Sequence, residues 1–136
     1  MKALTIKQPW LYAITDLDKR IENRTWRPPD FVIGQTIALH ASKADDPNGY
    51  SAIQKVKRIA LPAALPRGAI VATARVVGWL HEDNHFQLGE TDPDDIDLSE
   101  WFFGPFGWIL KDVQKLPQPI PFRGALGLWD VLEAAS

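Results

Sequence analysis

The stretch AIVATARVVGWL, residues 69–80, is a long run rich in β-branched residues, and Gly68 precedes it. A run of this length and composition predicts a strand at the centre of a sheet, covered on both faces. It is the strongest secondary-structure signal in the chain, and the other elements are assigned around it.

Shorter strands and two helices accompany this central strand in the prediction. Helices are predicted over 9–17, where Pro9 suits the first turn, and over 48–60, where apolar residues recur at helical spacing. Five further strands are predicted, over 3–7, 20–26, 36–42, 107–113 and 125–132. Short strands with Pro and Gly corners favour a small barrel over a parallel α/β sheet. The predicted fold class is α+β, a small β-barrel of five to six strands with flanking helices.

Length and composition predict one domain, residues 1–136. The chain contains no cysteine, which excludes disulfides, a zinc–cysteine site and a thiol nucleophile. No apolar run approaches the roughly 20 residues that cross a bilayer. The N-terminus also lacks the apolar core of a signal peptide. These features predict a cytoplasmic protein with no membrane partner.

Charge is distributed unevenly along the chain. The formal net charge is −2, but residues 82–100 carry eight acidic and no basic residues. The remaining residues carry nine acids and fifteen bases, a balance of +6. The net charge argues against a general phosphate-binding surface, whereas a mildly basic body can still offer a local cationic cleft. The acidic segment itself is predicted to be a solvated loop.

The stretch DKRIENRTWRPPD, residues 18–30, concentrates charge around one glutamate. In a strand, a period of two residues places Glu22, Arg24 and Trp26 on one face, with Lys19 at the corner where the strand begins. A lysine beside a carboxylate in a part-closed cavity can act as a base, a proton shuttle or an anion clamp. Spacing alone favours a solvated charged strand, because runs of charge usually face solvent.

Three other segments carry candidate binding residues. Gln8 and Trp10 lie where a strand gives way to a helix, and an amide with an indole suits a nucleobase. The alternative is a capping Gln8 and a core Trp10. His40 and Lys43 lie at the end of a strand. Either both line the mouth of a cavity, or His40 is a structural residue and Lys43 a surface residue. Trp108 either packs within an aromatic turn or walls a pocket.

Neither a metal site nor a cofactor is predicted. His81 and His85 are four residues apart but lack a third anchored ligand, and His40 is remote in sequence. The glycine-rich nucleotide-binding motifs and the nucleophile-elbow motif are missing from the sequence.

Six motifs in order resemble the ASCH (activating signal cointegrator homology) domain family: LTIKQPW, KRIENRTW, IALHASK, GAIVATARVVG, FFGPFGWIL and PIPFRGALGLWDV. The resemblance covers nearly the whole chain. The family signature Gly-x-Lys-x-x-Glu-x-Arg reads here with Leu17 in place of the Gly, followed by Lys19, Glu22 and Arg24. The resemblance implies a PUA-like β-barrel. It also implies a cleft between barrel and helix for RNA or a nucleotide, lined by the signature residues.

The activities within this family differ. Some ASCH-like proteins are nucleic-acid-binding modules, and ribonuclease activity has also been attributed to them. One bacterial branch removes acyl groups from N4-acylated cytidines with the pattern Lys-x-x-Thr-x-Arg and a Thr nucleophile. Because Glu22 stands at the place of that Thr, the nucleophile is not carried over. The remaining signature residues suit a different mechanism, in which Glu22 acts as a general base that activates a water molecule. Lys19 then polarises the carbonyl or protonates the leaving amine.

Two functions follow from these observations. The first is an amidohydrolase acting on N4-acylated cytidine or a related nucleoside, with Lys19, Glu22 and Arg24 as catalytic residues. Its predicted substrate-binding residues are Gln8, Trp10, Trp26, His40, Lys43 and Trp108. The second is a non-catalytic RNA-binding, or RNA-cleaving, module for single-stranded RNA. A net charge of −2 narrowly favours the enzyme, because long RNA needs many phosphate contacts, whereas a nucleoside needs one pocket. Glu82 and Glu90 remain open as additional acids.

Overall fold

The described part of this computed structural model comprises residues 1–83, 87–88 and 100–131, and a curled mixed sheet organises it. The strands are β1 (Lys2–Ile6), β2 (Ile21–Arg24), β3 (Thr36–Ala41), β4 (Ala69–His81), β5 (Gln87–Leu88), β6 (Phe106–Pro121) and β7 (Leu128–Asp130). The helices are α1 (Trp10–Asp16) and α2 (Pro47–Lys57), with a 3-10 turn at Asp30–Val32.

The strands form one continuous path in the order β2-β6-β4-β3-β1-β7, and β5 pairs with β4. This agrees with the predicted α+β class and with a PUA-like arrangement. The closed barrel is not found among the described residues, because β2 and β7 lie at opposite ends of the path and do not pair. The sheet is therefore an open half-barrel.

The predicted central strand is confirmed as β4. It pairs with β3 along one edge and with β6 along the other. Val71, Val76 and Val77 are buried, as a strand covered on both faces requires. The pairing with β6 shifts register at three places, and such bulges bend and twist a strand. These bends account for the curl of the sheet.

Parallel pairing of β1 with β3 determines where the later loops meet. The register runs from Ala3 beside Ala38 to Ile6 beside Ala41. Because the strands are parallel, both end at the same edge of the sheet. The segments that follow, Lys7–Trp10 and Ser42–Asp46, therefore lie next to each other although they are far apart in sequence.

The C-terminal part differs from the prediction. A strand was expected over 107–113, but β6 continues to Pro121, and the strand expected over 125–132 is reduced to β7. The prolines at 117, 119 and 121 alternate along β6, so their nitrogens point to the same edge. β2 pairs only with residues 106–109, which leaves this edge unpaired among the described residues. Proline is tolerated there because no ladder hydrogen bond is lost.

Of the two tryptophans at 26 and 108 that were predicted to bind substrate, Trp108 lies in the core and Trp26, partly buried, packs against it. Trp108 is fully buried, and its Nε1 donates a hydrogen bond to the carbonyl of Trp26 at 2.9 Å. The two rings meet edge to face with centroids 4.9 Å apart. Trp26 leaves the face expected from alternation because β2 ends at Arg24 and the chain bends over residues 25 and 26.

Neither helix in the described part of the chain has the length and hydrophobicity that a membrane span requires. The loop predicted for the acidic segment falls largely outside the described residues, as do His85 and Glu90.

Candidate functional site

A cavity of about 460 Å³ opens beside the C-terminal ends of β1 and β3. It brings together four of the nine predicted site residues, which are Trp10, Lys19, Glu22 and Arg24. The chain contributes them from the start of α1 and from the corner and strand of β2. Asn23 lines it beside these residues, and the remaining lining comes from places far apart in the sequence: Thr5–Lys7, Ser42, Asp46, Phe103 and Ala125–Gly127.

Lys19 is buried at the floor of this cavity, with 1% of its surface exposed. Its Nζ donates a hydrogen bond to the carbonyl of Ile21 and lies 3.4 Å from Oε1 of Glu22. The ammonium also lies 5.5 Å from the centroid of the Trp10 ring, within the range of a cation–π contact. Burial lowers the pKa of Lys19 from its ordinary value, and the nearby Glu22 carboxylate offsets part of that shift.

The corner before β2 aims Lys19 inward. Asp18 adopts a left-handed conformation with φ of 60°, which Asp tolerates better than most residues. The Lys19 N–H then donates to the carbonyl of Ala13 at 3.0 Å, which ties the corner to α1. Leu17, at the signature's usual Gly, has φ of −123° and is not strained. Substitution of that Gly is therefore compatible with the bend, because the left-handed residue is Asp18.

Glu22 bridges the two cations of the signature. Its Oε2 accepts a hydrogen bond from Nε of Arg24 at 3.1 Å, on the side of the carboxylate away from Lys19. Arg24 is anchored in turn, because its Nη2 donates to the carbonyl of Thr5 at 2.7 Å. The predicted grouping of Lys19, Glu22 and Arg24 in one concave site thus corresponds to a fixed ion-pair network, with Glu22 facing the cavity.

An aromatic wall stands beside this network. Trp10 and Phe103 have ring centroids 5.6 Å apart at an angle of 60°, and Phe103 is 55% exposed. Asp46 orients the indole by accepting a hydrogen bond from Trp10 Nε1 at 2.8 Å. The other oxygen of Asp46 accepts from the N–H of Asn48 at 3.0 Å, so the same carboxylate caps α2.

Several functional positions escaped the sequence prediction. Asn23 donates to the carbonyl of Trp101 at 3.0 Å and accepts from the N–H of Phe103 at 2.8 Å, so it holds the segment that presents Phe103. The position of Asn23 between Glu22 and Arg24 of the family signature was enough to predict that it lies near the site. Asp46 was detectable as a helix cap before Pro47. The sequence around Phe103 and around Ala125–Gly127 does not indicate a site, because only tertiary contacts bring these residues to the cavity.

Gln8 has a structural role. It is 1% exposed, its Nε2 donates to the carbonyl of Pro66 at 3.1 Å, and its Oε1 accepts from the N–H of Tyr12 at 2.8 Å. Both ends of the amide are therefore used inside the protein. The expectation that Gln8 reads a base edge is wrong for this geometry, and its alternative role at the turn is the one observed.

His40 and Lys43 border a second cavity of about 390 Å³, which shares Thr5, Ser42, Ala125 and Leu126 with the first. His40 Nε2 donates to the carbonyl of Phe122 at 2.6 Å, and Nδ1 lies 3.2 Å from Oγ1 of Thr5. Trp129 Nε1 also donates to that hydroxyl at 3.0 Å. Both ring nitrogens of His40 are thus engaged inside the protein, which is typical of a structural histidine.

Within the described residues, no group of three or more His, Cys, Asp or Glu side chains is arranged to hold a metal ion. His81 lies 3.8 Å from Asp83 at the end of β4, and it lines neither cavity. Glu82, considered as an additional acid, packs against Gly104 and does not line either cavity.

No protein-family model matches the chain. The chain is similar to "Activating signal cointegrator 1" of Homo sapiens, with 25% identity over 132 residues. The alignment covers 93% of this chain and 21% of that protein, so the chain spans about a fifth of the length of this relative. The similarity is consistent with an ASCH-like domain of PUA-like architecture, in agreement with the order of motifs along the chain.

Proposed function

We propose that this protein is an ASCH-type amidohydrolase that cleaves the amide of N4-acylated cytidine or a related nucleoside. The observation that carries the proposal is the buried Lys19–Glu22 pair, 3.4 Å apart, on the floor of a cavity with an aromatic wall. A buried lysine with a lowered pKa beside a carboxylate is the kind of perturbed pair that accumulates at functional sites.

In the proposed reaction, Glu22 takes a proton from a water molecule as the water oxygen bonds to the acyl carbon. The carbon–nitrogen bond then breaks, and the Lys19 ammonium donates its proton to the departing N4 amine. The products are a carboxylic acid and cytidine. Because Glu22 and Lys19 are in hydrogen-bond contact, the proton gained by Glu22 returns to Lys19 and resets the pair. A lowered lysine pKa makes Lys19 a more effective proton donor.

The proposed substrate also suits the shape of the cavity. A volume of about 460 Å³ falls in the range of small-molecule sites. Trp10 and Phe103 offer a flat apolar surface for a pyrimidine ring, and stacking of this kind is worth about 1–3 kcal/mol per base. Arg24 keeps Glu22 in place through its bond to the carboxylate, so we assign it a positioning role rather than a proton-transfer role.

The test is release of cytidine from N4-acetylcytidine, measured for the parent and for Lys19→Met and Glu22→Gln. Either change is expected to reduce kcat by a hundredfold or more, as is usual for loss of a general acid or base. The matched control is Lys57→Met, because Lys57 also pairs with a glutamate, Glu100, and lies over a tryptophan, outside the cavity. No turnover by the parent, or full turnover by both site variants, contradicts the proposal.

A non-catalytic module for single-stranded RNA is the second candidate. Two observations favour it: the similarity to activating signal cointegrator 1, and the position of the exposed Lys7 at the cavity mouth. Titration of a short single-stranded RNA with the parent and with Lys7→Gln distinguishes the candidates. Binding that depends on Lys7, without turnover of N4-acetylcytidine, favours the module. Failure to bind at low salt removes it.

A further inference from the structure

The second cavity is more cationic than its neighbour. Lys43 and Arg123 line it together with seven other residues, and no acidic residue contributes to its described walls. Both cations are exposed, and neither has a hydrogen-bond or ion-pair partner within residues 1–83 and 100–131. Most other cations of the described chain are paired with a carboxylate, as Arg67 is with Asp45. Lys43 and Arg123 thus line the same cavity without a carboxylate partner among the described residues, and this arrangement calls for an explanation.

The two cavities, which share four lining residues, form a local positive region on a protein with a negative net charge. Their described linings contain five basic residues and two acidic ones, a balance of +3, whereas the whole chain has a net charge of −2. Both acids are already engaged: Glu22 by two cations, and Asp46 by Trp10 and the helix start. The uncompensated charge therefore comes from Lys7, Lys43 and Arg123, and it attracts an anionic ligand.

The second cavity is built on a rigid support. His40 donates to the Phe122 carbonyl at 2.6 Å, and the Phe122 N–H donates to the Gly68 carbonyl at 3.0 Å, which fixes the segment that carries Arg123. The aliphatic stem of Lys43 lies over Gly68, where a Cβ would come within 3.3 Å of Lys43 Cγ. The stem is thus packed while the ammonium remains available. Cations whose supporting backbone or stem is already held in place lose less entropy when they bind an anion.

From this arrangement we propose that the ligand of the Lys19–Glu22 cavity is a nucleotide, whose phosphate binds in the second cavity between Lys43 and Arg123. The inference rests on the proposed function for the base-binding part. Thr5 and Ser42 line both cavities, so a sugar between base and phosphate would lie along the wall that they share. Lysine and arginine are the usual partners of phosphate oxygens, through charge-assisted hydrogen bonds.

The experiment compares binding of cytidine and cytidine 5′-monophosphate by isothermal titration calorimetry. The parent is expected to bind the phosphorylated ligand about tenfold more tightly or better. In Lys43→Gln/Arg123→Gln this ratio is expected to fall to about one, with cytidine binding unchanged. The control Lys55→Gln/Lys111→Gln removes the same charge from two cations that line neither cavity, and it should keep the ratio. No preference in the parent, or a preference retained by the cavity variant, overturns the proposal.

A second arm separates this inference from the proposed function. Ribose 5-phosphate lacks the base, so its binding, followed by phosphorus NMR, tests the phosphate site alone. Binding that Lys43→Gln/Arg123→Gln abolishes supports the site even if N4-acetylcytidine is neither bound nor cleaved. No response to ribose 5-phosphate in the parent overturns the site even if N4-acetylcytidine is cleaved. A short oligocytidylate in the same assay shows whether the phosphate belongs to a free nucleotide or to a polynucleotide backbone.

Discussion

At the scale of single residues, Lys19 is a cation of the site whose charged form is disfavoured by burial. It is 1% exposed, and burial lowers its pKa because the charged form loses solvation. Glu22 and the Ile21 carbonyl compensate only in part, and Arg24 opposes them. A protein that keeps a lysine in such a place loses stability for it, which is typical of a group retained for its chemistry.

The stability of the parent relative to Lys19→Met should therefore depend on pH. The folded-state pKa of Lys19 lies below the ordinary value of 10.5, so the folded state binds fewer protons than the unfolded state between these two values. The free energy of unfolding of the parent, relative to the variant, is expected to rise with pH through this window. Below the folded-state pKa the burial penalty is present in full.

Urea denaturation of parent and Lys19→Met at neutral and at alkaline pH measures this difference. Lys57→Met supplies the baseline for removal of a lysine that pairs with a glutamate outside the cavity. A difference between parent and Lys19→Met that stays constant, or falls as pH rises, contradicts the assignment of a lowered pKa to Lys19.

At the scale of elements, the turn after β6 matters most for the site. Gly124 lies against β1 and β3, where an added Cβ would come within 2.6 Å of Cε1 of His40 and 2.9 Å of Oγ1 of Thr5. Only a residue without a side chain fits there. This close approach brings residues 122–127 over both cavities and seals the His40–Thr5 network.

Gly124→Ala is expected to reduce the free energy of unfolding by about 1–3 kcal/mol, because the added methyl group overpacks a closed contact. Ala125→Ser, at an exposed neighbour in the same turn, should change it by less than about 0.5 kcal/mol. Urea denaturation monitored by tryptophan fluorescence measures both. Equal stability of Gly124→Ala and the parent would show that the turn moves away freely and does not define the cavities.

At the scale of the whole molecule, β4 connects the apolar clusters. Val76 belongs to a cluster with Trp108, Val77 and Leu80 belong to a second with α1 and α2, and Ile70 belongs to a third. Because one strand contributes to all three, loss of one cluster removes support from the others. We therefore propose that residues 1–136 behave as one cooperative domain.

Leu80→Ala tests this cooperativity. The substitution removes a buried side chain from one cluster and should cost about 2–5 kcal/mol. If the chain is one domain, far-UV circular dichroism and the total tryptophan fluorescence, to which Trp108 contributes from a different cluster, will report the same shifted transition. Separate transitions for the two probes, in the parent or in Leu80→Ala, would argue for more than one folding unit.

Local patterns in the sequence determined much of this protein. β-branched composition identified β4, helical spacing identified α1 and α2, and the motif order pointed to Lys19, Glu22 and Arg24. The predictions of β4, α1 and α2 succeeded because each rests on residues close together in the chain, whereas a role for Lys19, Glu22 and Arg24 stays a prediction. The length of β6, in contrast, was underestimated, because the prolines at 117, 119 and 121 normally argue against a strand. Proline is tolerated in a strand only where one edge is free.

Tertiary structure determined which other residues surround these side chains. Alternation placed Trp26 beside Glu22, but the bend after β2 sends it into the core against Trp108. Parallel pairing of β1 and β3 brings Trp10 to Asp46, and the return of the chain after β6 adds Phe122–Gly127 as the wall of two cavities. Contacts between distant segments have no local signature. The site proposed at Lys19, Glu22 and Arg24 therefore depends on neighbours that the charged stretch at 18–30 does not itself contain.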